Sequence, residues 1–388
     1  MTILTFLPYF LCAFFFSVIL VPWVGKLAEK FDVIQYPPSK IIEKLTSESS
    51  TDTLKDFKLI AARRRLEKHP MAMWGGISYV VPFFILSIYG LLSSKSINIA
   101  PENFYQYLFW FISILILFIV GVIDDKYELS GKTQFIFHVL ATLIFIASPL
   151  NFNSIRTYVF GDLSLAWFTW AFNIASVPLS FVFPSDLILF FWIILMIQAI
   201  KWQAGSDALM EGNVFIALIT IFAVSIMFNQ PESALFSVLF AGAILGFILY
   251  NFYPALIISG SSGKSVVGFF LATLSIVSNT KLAVSLVVFS IPIIDALWVL
   301  IRRILYYKPK SLGQLFSISD RFHLHHRLME LGFTEVQIAL LEYTITLSMA
   351  AGVVLFTGVS KFIYLIACWI LIAIVIVIVT KKSHEKVK

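Results

Sequence analysis

Three short polar stretches hold the side chains of this chain that could do chemistry. The first is Asp124-Asp125, two adjacent carboxylates at the end of an apolar run. They repel each other, and a helix end adds its negative dipole, so such a pair persists where a cation or a protonation step uses it; a solvated helix cap is the plain alternative. The second is His323, His325 and His326, three of the six histidines, with Arg302, Arg303, Arg321 and Arg327 nearby in sequence. Imidazole is the commonest transition-metal ligand, but no cysteine or carboxylate cluster stands here at zinc spacing. Protonated imidazole and guanidinium instead match the oxygens of a phosphate, and a solvated basic loop is the plain alternative. The third stretch, Ser259 to Lys264, puts small residues ahead of a helix, where backbone N–H groups and Lys264 can face an anion. A flexible turn explains it equally well. Between these stretches, Asp207 and Glu211 stand at i and i+4, with Lys201 placed to neutralise one of them.

The elements that must position these groups lie in a membrane. With 388 residues, 59% hydrophobic, 13% charged and a mean hydropathy of +0.91, the chain has the composition of a polytopic membrane protein and not of a soluble domain. Its apolar runs approach the ~20 residues a helix needs to cross the hydrocarbon, without the alternation of an outer-membrane barrel. Eleven helices are expected, over 3–24, 73–93, 105–123, 134–150, 185–200, 213–228, 233–250, 265–278, 282–301, 338–357 and 360–380. The fold class is therefore all-α, a single membrane-embedded helical bundle over 1–388. The apolar N-terminus reads as the first span and not as a signal peptide, since it has no basic segment or small-residue cleavage site before Pro22. Cys12 and Cys368 sit in apolar runs without ligand partners and read as packing residues.

Charge sets the orientation. With the N-terminus outside, all of the 28 Lys and Arg except Lys95, Arg156, Lys281 and Lys361 fall in segments on one side, a positive-inside pattern. Those inside segments are 25–72, 124–133, 201–212, 251–264, 302–337 and the tail, and they carry all three polar stretches. Inside segment 25–72 includes Asp56 to Lys68, which reads as a helix on anionic lipid, or else as plain solvated loop. The aromatic segment 151–184 fits an outer hairpin, a re-entrant piece or a further span, with Trp167 and Trp170 in the interfacial belt. A transporter with a midplane ionisable site fits poorly, because Asp295 is the main charge away from the inside ends.

In order and spacing these segments resemble the polyprenyl-phosphate N-acetylhexosamine-1-phosphate transferase family, over about Val21 to Leu341. Gly121-Val-Ile-Asp124-Asp125 with Lys132 after it, Tyr250-Asn251-Phe-Tyr-Pro254-Ala255, Pro292-Ile-Ile-Asp295 with Arg302-Arg303, and Asp320-Arg-Phe-His323-Leu-His325-His326-Arg327 carry the resemblance. Gly75-Gly76 also fits. The His-Leu-His-His form is similar to the branch that transfers GlcNAc-1-phosphate. The resemblance implies a UDP-N-acetylhexosamine donor, an undecaprenyl or similar polyprenyl phosphate acceptor, Mg²⁺, and release of UMP by phosphoryl transfer.

Carried over, Asp124 and Asp125 would stand at the acceptor phosphate, with Lys132 and His325 beside them as catalytic groups. Asn251, Lys201, Asp207, Lys264, Arg303, His323, His326 and Arg327 would bind substrate. Expected partners are the two substrates, membrane lipid and, as a homodimer, a second copy of the chain; nucleic acid is not among them. The chain also departs from the pattern. Gln198 and Lys201 stand where the family has asparagines, Ser261 where it has an aspartate, Lys264 where it has a serine, Gln134 and His138 where Lys and Gln are usual, and Met73 replaces an arginine. The second asparagine and the aspartate are the residues the family uses for Mg²⁺, so any metal at Asp124 and Asp125 would lack ligands and meet added positive charge. Two readings follow: a divergent transferase in which Lys201 or Lys264 supplies part of the metal's charge, or a family member that binds its ligands without catalysis.

Overall fold

The computed structural model describes residues 3–36, 70–93, 104–148, 152, 154–157, 161–174, 177–277, 282–311, 314–315, 318 and 322–387. Asp56 to Lys68, Asp320 and Arg321 lie outside them. Helices α1 (Ile3–Lys30), α2 (Ile77–Ser93), α3 (Phe104–Tyr127) and α4 (Gly131–Ile146) make the first half of the bundle. They are followed by α5 (Ser185–Gln203), α6 (Leu209–Met227), α7 (Pro231–Asn251) and α8 (Gly260–Val277). The chain ends with α9 (Leu282–Val288), α10 (Ser290–Tyr307), α11 (Leu324–Glu330), α12 (Glu335–Leu355) and α13 (Gly358–Val387).

Each apolar run expected to span is helical. Among the described residues eight helices are long and apolar enough to cross a membrane; α4 is shorter, and α8, α9 and α10 do not meet that measure. The chain is a multi-pass membrane protein. One expected span, 282–301, is interrupted at Phe289. Pro292 lies in the following turn; it has no N–H to donate to residue 288, and its ring crowds that carbonyl. Helix starts follow local chemistry: the Ser130 hydroxyl accepts from Thr133 N–H at 3.2 Å, and Thr334 with Gln337 forms a capping box.

Helix α8 lies at the centre, packed on α3 and α5, while α7 joins α1 to α6 and α12 packs on α6. Its outer half is held by an aromatic cluster. Phe270 stands 4.4 Å from Phe240, 5.0 Å from Phe83 and 5.4 Å from Trp110 between ring centroids. The Trp110 indole N–H donates to Thr273 at 2.7 Å, so the one polar atom of that ring is satisfied inside the bundle. Cys12 lies on an exposed face of α1, which corrects its reading as a packing residue; Cys368 is half-buried, and both are free.

The segment 151–184 forms two antiparallel hairpins, β3–β4 (Ser154–Thr157, Gly161–Ser164) and β5–β6 (Ala166–Ile174, Val177–Pro184). In the second, Phe168, Trp170, Phe172 and Ile174 pair across the strands with Phe183, Phe181, Leu179 and Val177. The period-2 geometry puts these on one face, where the phenylalanines and Trp170 are exposed. The opposite face carries buried Val182, and the backbone N–H of Ser180 donates to the Ala147 carbonyl at the end of α4. An amphipathic aromatic hairpin between two spans is suited to the headgroup zone. Two further short strands, β1 (Ile34–Gln35) and β2 (Met71–Ala72), pair at the other end of the bundle.

The hairpin and the start of α4 should therefore face opposite sides of the bilayer. In a background without Cys12 and Cys368, Asn173→Cys should react with a membrane-impermeant maleimide on intact cells, and Lys132→Cys only after permeabilisation. Labelling of both from the same side would contradict this arrangement.

Candidate active site

Asp124 and Asp125 close α3 and are buried, so they are not a solvated cap. The Asp125 carboxylate accepts from the backbone N–H groups of Ser261 at 2.5 Å and Ser262 at 3.2 Å. These are among the N–H groups that the first turn of α8 leaves without helical partners, at the positive end of its dipole. The Ser259–Lys264 stretch thus does present N–H groups to an anion, and the anion is the protein's own Asp125. Gly260 makes this approach feasible: its φ is +64°, and a Cβ there would stand 2.3 Å from the Asp125 carboxylate.

Asp124 is served differently. Its carboxylate accepts from the Gln134 amide at 2.9 Å, and the carbonyl of the same amide accepts from the Lys201 ammonium at 2.6 Å. Lys201 therefore reaches the acidic pair through an amide and not by direct contact. Beside this relay His138 is bonded to Ser265 and to Gln198, each at 3.2 Å. Four of the departures noted in the sequence, Gln134, His138, Gln198 and Lys201, are thus neighbours around one site. Lys264, half-buried in the first turn of α8, acts through its field on Asp125 and on Lys201.

The histidine stretch is organised by Asp295 of α10. Its carboxylate accepts the backbone N–H of Leu324 at 2.8 Å and stands 2.7 Å from His323 Nδ1, which fixes the start of α11. His323 and His325 are nearly parallel at 5.9 Å, and His326 lies 4.2 Å from His325. Arg302 and Arg327 stand over the Phe322 ring at 4.4 Å and 5.0 Å.

The last turn of α5 brings both clusters together. Lys201 serves the acidic pair, while the next residue, Trp202, lies 4.6 Å from the Arg303 guanidinium and 5.5 Å from the His323 ring. At Gly205 a Cβ would meet His325 Nε2 at 2.3 Å, so the absence of a side chain admits the histidine. On the far side Gln203 donates to Glu342 of α12 at 2.8 Å, and Asn213 donates to the same carboxylate at 3.1 Å.

Several expected site residues hold the loops. Asn251 accepts from Ala208 N–H at 3.0 Å and donates to the Ile257 carbonyl at 2.8 Å. Asp207 accepts from Ala255 N–H at 3.1 Å. Arg327 donates to Glu330 at 2.8 Å and to Ser383 at 3.3 Å, which ties α11 to α13. Lys132 is exposed on the first turn of α4 and joins none of these bonds. Sequence reasoning passed over Trp202, Gln203, Asn213 and Glu342, and also Glu335, whose carboxylate accepts from the Ser206 hydroxyl at 2.8 Å. Glu211, one of the two carboxylates that Lys201 was expected to neutralise, instead accepts from the Ser259 hydroxyl.

The residues present do not fit Mg²⁺. Among the described residues no three His, Cys, Asp or Glu side chains gather at metal-ligand spacing. The Asp125 carboxylate is engaged by two amides and one Asp124 oxygen by Gln134, and an ammonium lies beyond that amide. A divalent ion about 5 Å from an ammonium would be repelled by roughly 7 kcal/mol at an effective dielectric of about 20. Hard cations take their ligands from oxygens, and three of the four carboxylate oxygens of the pair already accept from N–H groups.

A bundle of spanning helices that carries an acidic pair, lysines, imidazoles and a guanidinium around the end of one helix has groups of the kind that meet phosphate oxygens. Residues 107–279 match the model of glycosyl transferase family 4. The chain is 26% identical over 286 residues to the "Probable undecaprenyl-phosphate N-acetylglucosaminyl 1-phosphate transferase" of Bacillus subtilis, covering 71% of this chain and 74% of that one. It is 24% identical over 274 residues to the phospho-N-acetylmuramoyl-pentapeptide-transferase of Staphylococcus epidermidis, covering 70% and 81%. With the decaprenyl-phosphate N-acetylglucosaminephosphotransferase of Mycobacterium leprae it shares 25% over 277 residues, covering 63% and 62%. Over most of its length the chain is similar to polyprenyl-phosphate N-acetylhexosamine-1-phosphate transferases, and these likenesses support an enzyme of the phosphotransferase class.

Asp295 is the anchor of the histidine stretch. Asp295→Ala should destabilise the protein by roughly 3–5 kcal/mol, because it strips a buried partner from His323 and from Leu324 N–H. Unfolding in mixed detergent–SDS micelles measures this; a loss below about 1 kcal/mol, the range of a surface pair, would show that the clamp is not structural.

Proposed function

We propose that the enzyme transfers N-acetylhexosamine-1-phosphate from a UDP-sugar to undecaprenyl phosphate or a similar polyprenyl phosphate, releasing UMP. The observation that carries this reading is the convergence, around the last turn of α5, of Lys201, Arg303, His323 and His325 with the Asp124–Asp125 pair at one end of the spanning bundle. A phosphate on a long apolar tail reaches such a site while its tail stays in lipid. The positive-inside charge supports placing this end at the cytoplasmic face of the inner membrane, where a nucleotide sugar is soluble.

In the reaction an oxygen of the acceptor phosphate attacks the phosphorus that carries the sugar. A P–O bond forms to the lipid phosphate, and the bond from that phosphorus to the oxygen of UMP breaks. UMP leaves with the electron pair, and no redox partner is needed. Such a transfer depends on positioning and charge neutralisation. Asp124 and Asp125, held by Gln134 and by the start of α8, would orient the acceptor. His325, packed against Gly205, and His323, fixed by Asp295, would donate to the donor's phosphate oxygens together with Arg303. The relatives' names support an N-acetylglucosamine donor and a role in cell-wall or surface glycan synthesis.

A purified preparation in detergent should convert undecaprenyl phosphate and at least one radiolabelled UDP-N-acetylhexosamine into a lipid-linked sugar and UMP. Asp125→Asn and His325→Ala should each lower turnover by about 10²–10³-fold, the scale of losing one preorganised charge-stabilising group. No product with any donor, alongside retained nucleotide-sugar binding, would overturn the transferase reading in favour of a binding protein.

A further inference from the structure

Phosphoryl transfer between two anions needs positive charge at the phosphates, and the donor set described above does not suit a divalent metal. We infer that Lys201 is the built-in cation of this site, its ammonium holding the transferring phosphates so that neither binding nor transfer requires a divalent ion. The inference rests on the transferase reading and names what neutralises charge within it.

The first argument is how Lys201 is held. An ammonium in direct contact with a carboxylate is neutralised by it. Here Gln134 stands between, taking one Lys201 N–H at 2.6 Å and passing the other end of its amide to Asp124 at 2.9 Å. The same amide donates to the Leu129 carbonyl at 3.0 Å, which fixes its orientation. The lysine is thus aligned with the acidic pair while its charge remains for an incoming anion. An ammonium has three donors, and two remain in number for phosphate oxygens after the bond to Gln134.

The second argument is local electrostatics. Lys201 lies in the last turn of α5, where the helix dipole favours a cation. Burial acts most strongly against its charge, Asp124 and Asp125 act for it, and Lys264 acts against it. The two lysines offset the two carboxylates without a metal, and Arg303 and the histidines across Trp202 add the positive groups that the three phosphates of donor and acceptor would meet. The third argument is concertedness. Gln134, whose amide meets Lys201, and Gln198, whose amide meets His138, line the same side of the site, so two of the groups nearest the ammonium are uncharged amides.

The test uses the full chain in detergent with three readouts. Mn²⁺ binding is followed by electron paramagnetic resonance, UDP-GlcNAc binding by calorimetry in EDTA, and transfer in EDTA. The wild type should show no stoichiometric Mn²⁺ site, should bind UDP-GlcNAc in EDTA, and should retain transfer there. Lys201→Met and Lys201→Gln should each weaken that binding by about tenfold or more, the scale of a lost charge-assisted hydrogen bond, while Lys201→Arg should keep most of it. A stoichiometric Mn²⁺ site in the wild type, loss of wild-type binding in EDTA, or unchanged binding in a folded neutral variant would overturn the inference. If no donor is transferred under any condition but binding in EDTA still follows the charge at position 201, the transferase reading fails and the inference about the cation stands.

Discussion

A carboxylate can be kept inside a membrane protein only where donors reach its oxygens, because no water is there to supply them. This constraint shapes the working end of the bundle. Asp125 is satisfied by the first amides of α8, Asp124 by Gln134, Asp295 by Leu324 N–H and His323, Glu342 by Gln203 and Asn213, and Glu211 by Ser259. Apart from His323 these partners are neutral. Each bond joins two different helices or a helix and a loop, so the polar groups that mark the site also fix how the helices meet. Among the cations, Lys201 joins this framework through Gln134, Lys264 acts on it through its field, and Arg327 is paired with Glu330.

The last turn of α5 shows what this does for function. Within five residues it presents an ammonium to one cluster, an indole to the other, an amide to a buried glutamate and a bare backbone to His325. A displacement of that turn would shift the acidic pair relative to the histidines. The aromatic cluster around Phe270 and Trp110 opposes such displacement, since it packs α8 firmly against α3 and thereby holds the helix start that serves Asp125. Packing in the middle of the bundle and geometry at its end are consequently one problem, solved by the same helix.

Much of this was legible in the chain. The apolar runs located every spanning helix, since a segment long enough to cross hydrocarbon must be helical to satisfy its own backbone. The acidic pair and the histidines stood out because polar groups are rare in such a sequence. What the sequence did not reveal was pairing at long range. Nothing local says that Gln134 bridges Asp124 to a lysine 67 residues further on, or that Glu342, inside an apolar run, would be met by Gln203 and Asn213. The glycine-rich stretch left an anion site and a flexible turn open; its N–H groups meet an intramolecular anion, Asp125, which only the approach of α3 to α8 could show. The alternation Phe168-Thr-Trp170-Ala-Phe172-Asn-Ile174 does mark a strand, but an interfacial aromatic belt explains the same residues, so the 151–184 segment stayed open between a hairpin, a re-entrant piece and a span.

The most direct test of this account is a structure of the protein with UDP and Mn²⁺, with anomalous scattering used to locate the metal. The account predicts the Lys201 ammonium within hydrogen-bonding distance of the nucleotide's phosphates, with Gln134 still bridging to Asp124 and no anomalous peak between the acidic pair and the pyrophosphate. A Mn²⁺ peak coordinated by Asp124 or Asp125, with Lys201 turned away, would contradict it.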